Sequence, residues 1–145
     1  MEEPIQREDK GLIEIAGADN PDAKWYVVHT YSGHENKVSI TLKQRVESSG
    51  YQDRICKILV PTQEKIVISE GKKRKVDEHL FPGYILVNMV MSDDAWHIVR
   101  STTGVTGFVG TGSTPTALPE AEVKSILKFM KMEAPKFLLF SLPQR

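Results

Sequence analysis

The sequence predicts an α+β protein, with a single mostly antiparallel four-stranded sheet and about three helices covering it. Three observations carry this. Aromatic and β-branched runs recur between turn residues from position 25 to 91. Two segments hold apolar residues at helical spacing. The connections between the runs of 55–91 are short, so neighbouring strands pair antiparallel.

The elements follow in order. Trp25-Tyr26-Val27-Val28-His29-Thr30-Tyr31 reads as the first strand. Ser32, with Glu35 three residues on, forms a capping box that opens a helix. Val38, Leu42 and Val46 make its apolar stripe, and Gly50 ends it. Residues 55–60 are a second strand closed by Pro61, and 64–69 a third. Glu70-Gly71-Lys72-Lys73 reads as a polar turn into a fourth extended stretch near 75–79. Pro82-Gly83 introduces the strongest strand, 84–91. Ser92 caps a short helix with Asp93 and Asp94 in its first turn, where the helix dipole favours them. Residues 106–109 form a short strand and 110–116 a loop. Pro119 opens a last helix carrying Val123, Ile126, Leu127 and Met130, and Pro135 stops it.

Composition bounds the function. The 145 residues hold 19 Lys plus Arg and 19 Asp plus Glu, so the net charge is zero. That excludes an overall basic coat for nucleic acid, though not a locally basic face. Residues 1–23 hold seven acids and two bases, which leaves the remainder at +5. This acidic leader is expected to be mostly disordered. No apolar run approaches the roughly 20 residues of a membrane span, the N-terminus lacks a signal peptide, and the single Cys56 cannot form an internal disulfide. A soluble, cytoplasmic monomer with no membrane partner is expected.

Catalytic patterns are weak. There is no Gly-x-Ser-x-Gly elbow, no His-Glu-x-x-His pattern and no Cys-x-x-Cys pair, so neither a serine hydrolase of that type nor a metal site is expected. Gly104, Gly107, Gly110 and Gly112 match no phosphate-loop spacing and read as a flexible connection. No cofactor is implied. Two features point to binding instead. The run Lys72-Lys73-Arg74-Lys75 suits phosphate backbone. Trp96, His97, Arg100, Ser101 and Thr102 put an aromatic ring beside a guanidinium and hydroxyls, which suits unpaired bases, although Trp96 also reads as a core anchor.

Alternation places Ile85, Val87, Met89 and Met91 on one side of their strand and Tyr84, Leu86, Asn88 and Val90 on the other. Trp25, Val27, His29 and Tyr31 also share a side. If these outer faces align, the sheet either presents an apolar, aromatic patch of the kind that marks partner sites, or is covered by the third helix or the tail.

Residues 25–38, Val60-Pro61-Thr62, Phe81-Pro82-Gly83-Tyr84-Ile85-Leu86-Val87, Trp96-His97-Ile98-Val99-Arg100 and Thr103-Gly104-Val105-Thr106-Gly107-Phe108-Val109-Gly110 resemble, in order and spacing, the NusG family of bacterial transcription factors. The resemblance covers about residues 24–133, the family's N-terminal (NGN) domain, a ferredoxin/RNP-like sandwich. It implies a non-enzymatic elongation factor. Such a factor docks on the β′ clamp helices of RNA polymerase, bridges the DNA channel towards the β subunit, and modulates processivity, pausing, termination and antitermination.

The implied docking residues are His29, Tyr31, Phe81, Pro82, Tyr84, Leu86 and Phe108. The implied contacts to non-template DNA in the transcription bubble are Trp96, His97, Arg100, Ser101 and Thr102, with generic contact through Lys72, Lys73, Arg74 and Lys75. Pause-promoting relatives carry Asn-Thr after the Arg, whereas Ser101-Thr102 stands here, and Ser has no amide to pair with a base edge. Residues 134–145 read as a tail without the family's KOW barrel, so partnership with Rho or ribosomal protein S10 is not expected. Two competing readings remain: an RRM-like single-stranded RNA-binding module, whose aromatic signature run is absent, and a small acylphosphatase-like enzyme, whose phosphate loop would need an arginine beyond Arg100.

Overall fold

Two central strands organise the sheet. β2 (Lys24–Thr30) and β6 (Tyr84–Met89) pair antiparallel, with Tyr26 opposite Val87 and Val28 opposite Ile85. Their β-branched and aromatic residues suit a sheet packed on both faces. β3 (Ile55–Leu59) lies beyond β6, and β1 (Leu12–Glu14) beyond β3. At the other edge β2 pairs with both β7 (Val105–Phe108) and β10 (Ala117–Leu118). The computed structural model describes residues 11–15, 20–111 and 114–131.

The α+β class holds, and the main sheet has six strands rather than four. The expected third and fourth strands are not in it. β4 (Thr62–Ser69) and β5 (Lys72–His79) form a separate two-stranded hairpin. A further small pair joins β8 (Gly110–Thr111) to β9 (Thr114–Pro115).

β1 corrects one expectation, since it falls within the acidic leader. Leu12 and Ile15 are buried, and the amide of Ile15 donates to the Cys56 carbonyl at 2.9 Å. The amide of Val60 donates to Gly11 at 2.9 Å, and a Cβ at Gly11, whose φ is +80°, would clash with the Val60 carbonyl. This short edge strand is ordered by its partner β3, not by its own propensity. The rest of residues 1–19 and the expected 134–145 tail lie outside the described residues.

Helices cover both faces. On one, Val38, Leu42 and Val46 of α1 (Glu35–Ser49) and Ala95, Ile98 and Val99 of α2 (Asp93–Arg100) pack on Tyr26, Val28, Ile85, Val87 and Met89. On the other, Val123 and Leu127 of α3 (Glu120–Lys131) bury Trp25, Leu59 and Leu86 together with Leu12. Ser92 caps α2 as expected, accepting from the Ala95 amide at 3.1 Å. Gly50 closes α1 with φ +74°. The N-terminus of α1 differs from the capping box. Its N-cap is His34, with no side-chain cap bond, so Glu35 is the first helical residue rather than the third, and its carboxylate accepts from Gly83 instead.

The second core makes Leu86 structural. Leu86→Ala should destabilise the fold by about 2–5 kcal/mol, the cost of a core cavity. Urea denaturation checks this, and a change below about 0.5 kcal/mol would place Leu86 on the surface.

Candidate functional site

α3 covers only part of the outer face. At the other end His29 and Tyr84 stand opposite each other on β2 and β6, their rings 4.9 Å apart and tilted by 52°. Phe81 is 45% exposed, Tyr31 59%, and Pro82 is also exposed. Tyr31 meets His34 edge-on at 6.2 Å. The Thr106 hydroxyl donates to the His29 carbonyl at 3.1 Å and so accepts from His29 Nδ1, which fixes the ring.

The turn that carries Phe81 is gripped from two sides. The Gly83 carbonyl accepts from the Thr30 amide at 2.7 Å, and the Gly83 amide donates to Glu35 Oε2 at 2.7 Å. Gly83 has φ +85°, a conformation that favours glycine, and an added Cβ would stand 3.4 Å from the Thr30 carbonyl oxygen. Glu35 is only 1% exposed. Burial alone would raise its pKa. The backbone donors of Gly83, Glu35 and Gly33, and the nearby His79, outweigh it and hold the carboxyl below the ordinary glutamate range. His79 Nε2 lies 3.9 Å from Glu35 Oε1.

A second group gathers at the end of α2. His97 and Arg100 are exposed. Trp96 is half-buried and stacks on Phe108, with ring centroids 6.4 Å apart and an interplanar angle of 15°. Arg45 of α1 donates from Nη2 to Ser101 Oγ at 2.6 Å and from Nε to the Ile98 carbonyl at 3.2 Å. Ser101 in turn donates to the His97 carbonyl at 2.7 Å. Thr102 is buried, its hydroxyl donating to Ile98 at 2.8 Å.

A family model described as "Transcription termination factor nusG" matches residues 23–127. The chain belongs to the NusG family. It is 53% identical over 118 residues to the transcription termination/antitermination protein NusG of Bacillus subtilis, covering 79% of this chain and 67% of that one. The NusG of Halalkalibacterium halodurans is 51% identical over 115 residues, covering 77% and 65%. The chain thus spans about two thirds of the length of these relatives. The solved structure of Thermotoga maritima NusG is 34% identical, with a TM-score of 0.55, and covers 79% of this chain and 62% of that one. NusG-family proteins are transcription factors, not enzymes. Among the described residues no helix is long and apolar enough to cross a membrane.

Within this NusG-family fold the expected docking residues divide. His29, Tyr31, Phe81, Pro82 and Tyr84 gather around the Gly83 turn. Leu86 does not join them, because it is 3% exposed beneath α3. Phe108 does not either. Its register partner is Val28, which turns it to the helix side against Trp96 and Tyr26. Of the expected DNA contacts, Thr102 is buried and Ser101 is engaged by Arg45. The Lys72–Lys75 run lies in β5 rather than in a turn. Three supporting residues escape sequence reasoning: Glu35, Arg45 and Thr106. Glu35 sits where a capping box wants it, and that nearer explanation masks its bond to a residue 48 positions away.

Because the native Glu35 carboxyl is depressed, its contribution to stability is present above the ordinary glutamate pKa of about 4.3. It is lost as pH falls through the lower native value. Glu35→Gln should lower stability at neutral pH by about 1–3 kcal/mol and remove part of the acid sensitivity. Urea unfolding at neutral and acid pH reads both effects, and a variant with an unchanged pH profile would contradict them.

Proposed function

We propose that this chain is a transcription elongation factor that binds RNA polymerase through the open end of its outer sheet face. The observation that carries this is the exposed aromatic cluster of Phe81, Tyr84 and Tyr31 beside His29, on a backbone held by Glu35 and Thr30. A polar protein rarely leaves such rings together in water unless a partner covers them. The family implies the partner: the β′ clamp helices, with the domain bridging towards β across the DNA channel and modulating processivity, pausing, termination or antitermination. Preorganisation strengthens the reading. The rings stand on paired strands and a clamped turn, so docking orders little new backbone.

The end of α2 faces non-template DNA in this arrangement. Arg100 and His97 supply the exposed polar groups, and Trp96 a half-buried ring. Ser101, tied to Arg45, holds the end of α2 in place instead of reading a base. Contact there is therefore through backbone and stacking, without sequence preference. Arg45 acts at one remove, as a positioning residue.

Aromatic anchors at the centre of an interface commonly cost about 2 kcal/mol or more when truncated, roughly a 30-fold loss of affinity. Tyr84→Ala and Phe81→Ala should each weaken binding to core RNA polymerase by at least that factor while melting close to wild type. Surface-immobilised polymerase titrated with each folded variant measures it. Wild-type affinity in both variants would remove the sheet face from the interface.

A further inference from the structure

The β4–β5 hairpin has a charge distribution that the sheet-face site does not use. Its loop is two residues, Glu70 and Gly71, with φ of +53° and +77°. That loop leaves all four cations of the basic run inside the ladder. Ser69 pairs with Lys72, Ile68 with Lys73, Val67 with Arg74 and Ile66 with Lys75. Residues directly opposite share a face, and successive residues alternate. Lys72 and Arg74 therefore stand on one face of the ribbon, and Lys73 and Lys75 on the other. Three of its acids, Glu64, Asp77 and Glu78, lie towards the base, and the fourth, Glu70, stands in the loop. Glu64 and Asp77 are paired near the body, Glu78 makes an ion pair with Lys65, and Glu64 lies 3.9 Å from Lys75. From Ile66 to the end of β5 nearly every side chain is exposed, Ile68 at 73%.

We propose that this hairpin enters the major groove of duplex DNA, with its two cationic faces meeting phosphates on the two walls. The proposal rests on the reading of the chain as a factor that works on transcribed DNA. It deepens that reading by assigning the duplex to the hairpin and leaving the single strand to α2. Charge on both faces of a projecting ribbon suits a partner that offers anions on both sides. A flat protein surface or one unpaired strand supplies them on one side only. The dimensions agree. A major groove about 12 Å wide admits a two-stranded ribbon, and Lys72 to Lys75 spans about 10 Å at the usual strand rise. Ile66 and Ile68 are exposed on the same face as Lys73 and Lys75.

The test uses the full chain without polymerase and a labelled DNA duplex of about 20 base pairs, titrated by fluorescence anisotropy across a salt series. Four phosphate contacts predict a slope of log affinity on log salt near −3.6, at about 0.9 per contact. The double variants Lys72→Gln/Arg74→Gln and Lys73→Gln/Lys75→Gln should each reduce the slope by about 2. Methyl green, which occupies the major groove, should displace the chain, and netropsin, which occupies the minor groove, should not. Tyr84→Ala should leave the duplex titration unchanged, so a failure of polymerase docking is scored separately. The proposal is overturned if no duplex binds, if only one pair of cations changes the slope, or if single-stranded DNA responds equally to both double variants. If Lys73, Lys75, Ile66 and Ile68 matter only for polymerase binding, the hairpin is a one-faced protein contact and the proposal also fails.

Discussion

The carboxylate of Glu35 reaches from the first turn of α1 to the amide of Gly83, and much of the exposed surface depends on that reach. A turn at the end of a strand would ordinarily leave this amide to water. Here it is buried against a charged acceptor, and charge-assisted hydrogen bonds are roughly twice as strong as neutral ones. The Thr30 amide holds the same residue through its carbonyl. With Gly83 fixed on both sides, Phe81 and Tyr84 stand at set positions beside His29. One bond therefore ties a helix N-terminus, a turn and the end of the central strand pair into one unit.

On the outer face of the sheet α3 lies over one end. Its Val123 and Leu127 cover Trp25, Leu59 and Leu86. Beyond them the same face continues into His29, Tyr84 and Tyr31, over which no helix lies among the described residues. The fold thus buries part of this apolar face and leaves part of it exposed. The boundary falls within one strand, between Tyr84 and Leu86, two residues that point the same way.

That boundary marks the limit of what the sequence discloses. Period-two alternation correctly put Tyr84 and Leu86 on one side, since it is a local property of the backbone. Which of them is covered depends on where a helix some 35 residues later comes to rest, and no local pattern encodes that. The central strands, the α1 stripe, the Ser92 cap and the last helix were all legible for the same local reasons. Phe108 was misplaced because its side follows from register with β2, which carries an irregularity between His29 and Thr30. The hairpin was legible as two strands, but its turn is confined to Glu70 and Gly71, so the cations belong to the ribbon. β1 was hidden because three residues in an acidic stretch gain order only from β3.

Central to this account is that the Glu35 carboxylate, not the turn's own propensity, fixes the aromatic surface. Amide hydrogen exchange by NMR tests it most directly, read at Gly83 in the wild-type chain and at the neighbouring amides in Glu35→Ala. The account predicts that Gly83 exchanges as slowly as the buried strands. In Glu35→Ala its protection should vanish, together with the nuclear Overhauser contacts between the His29 and Tyr84 rings, while β3 and α1 stay protected. A Gly83 amide that exchanges as fast as an open loop, or rings that keep their contact without the carboxylate, would contradict it.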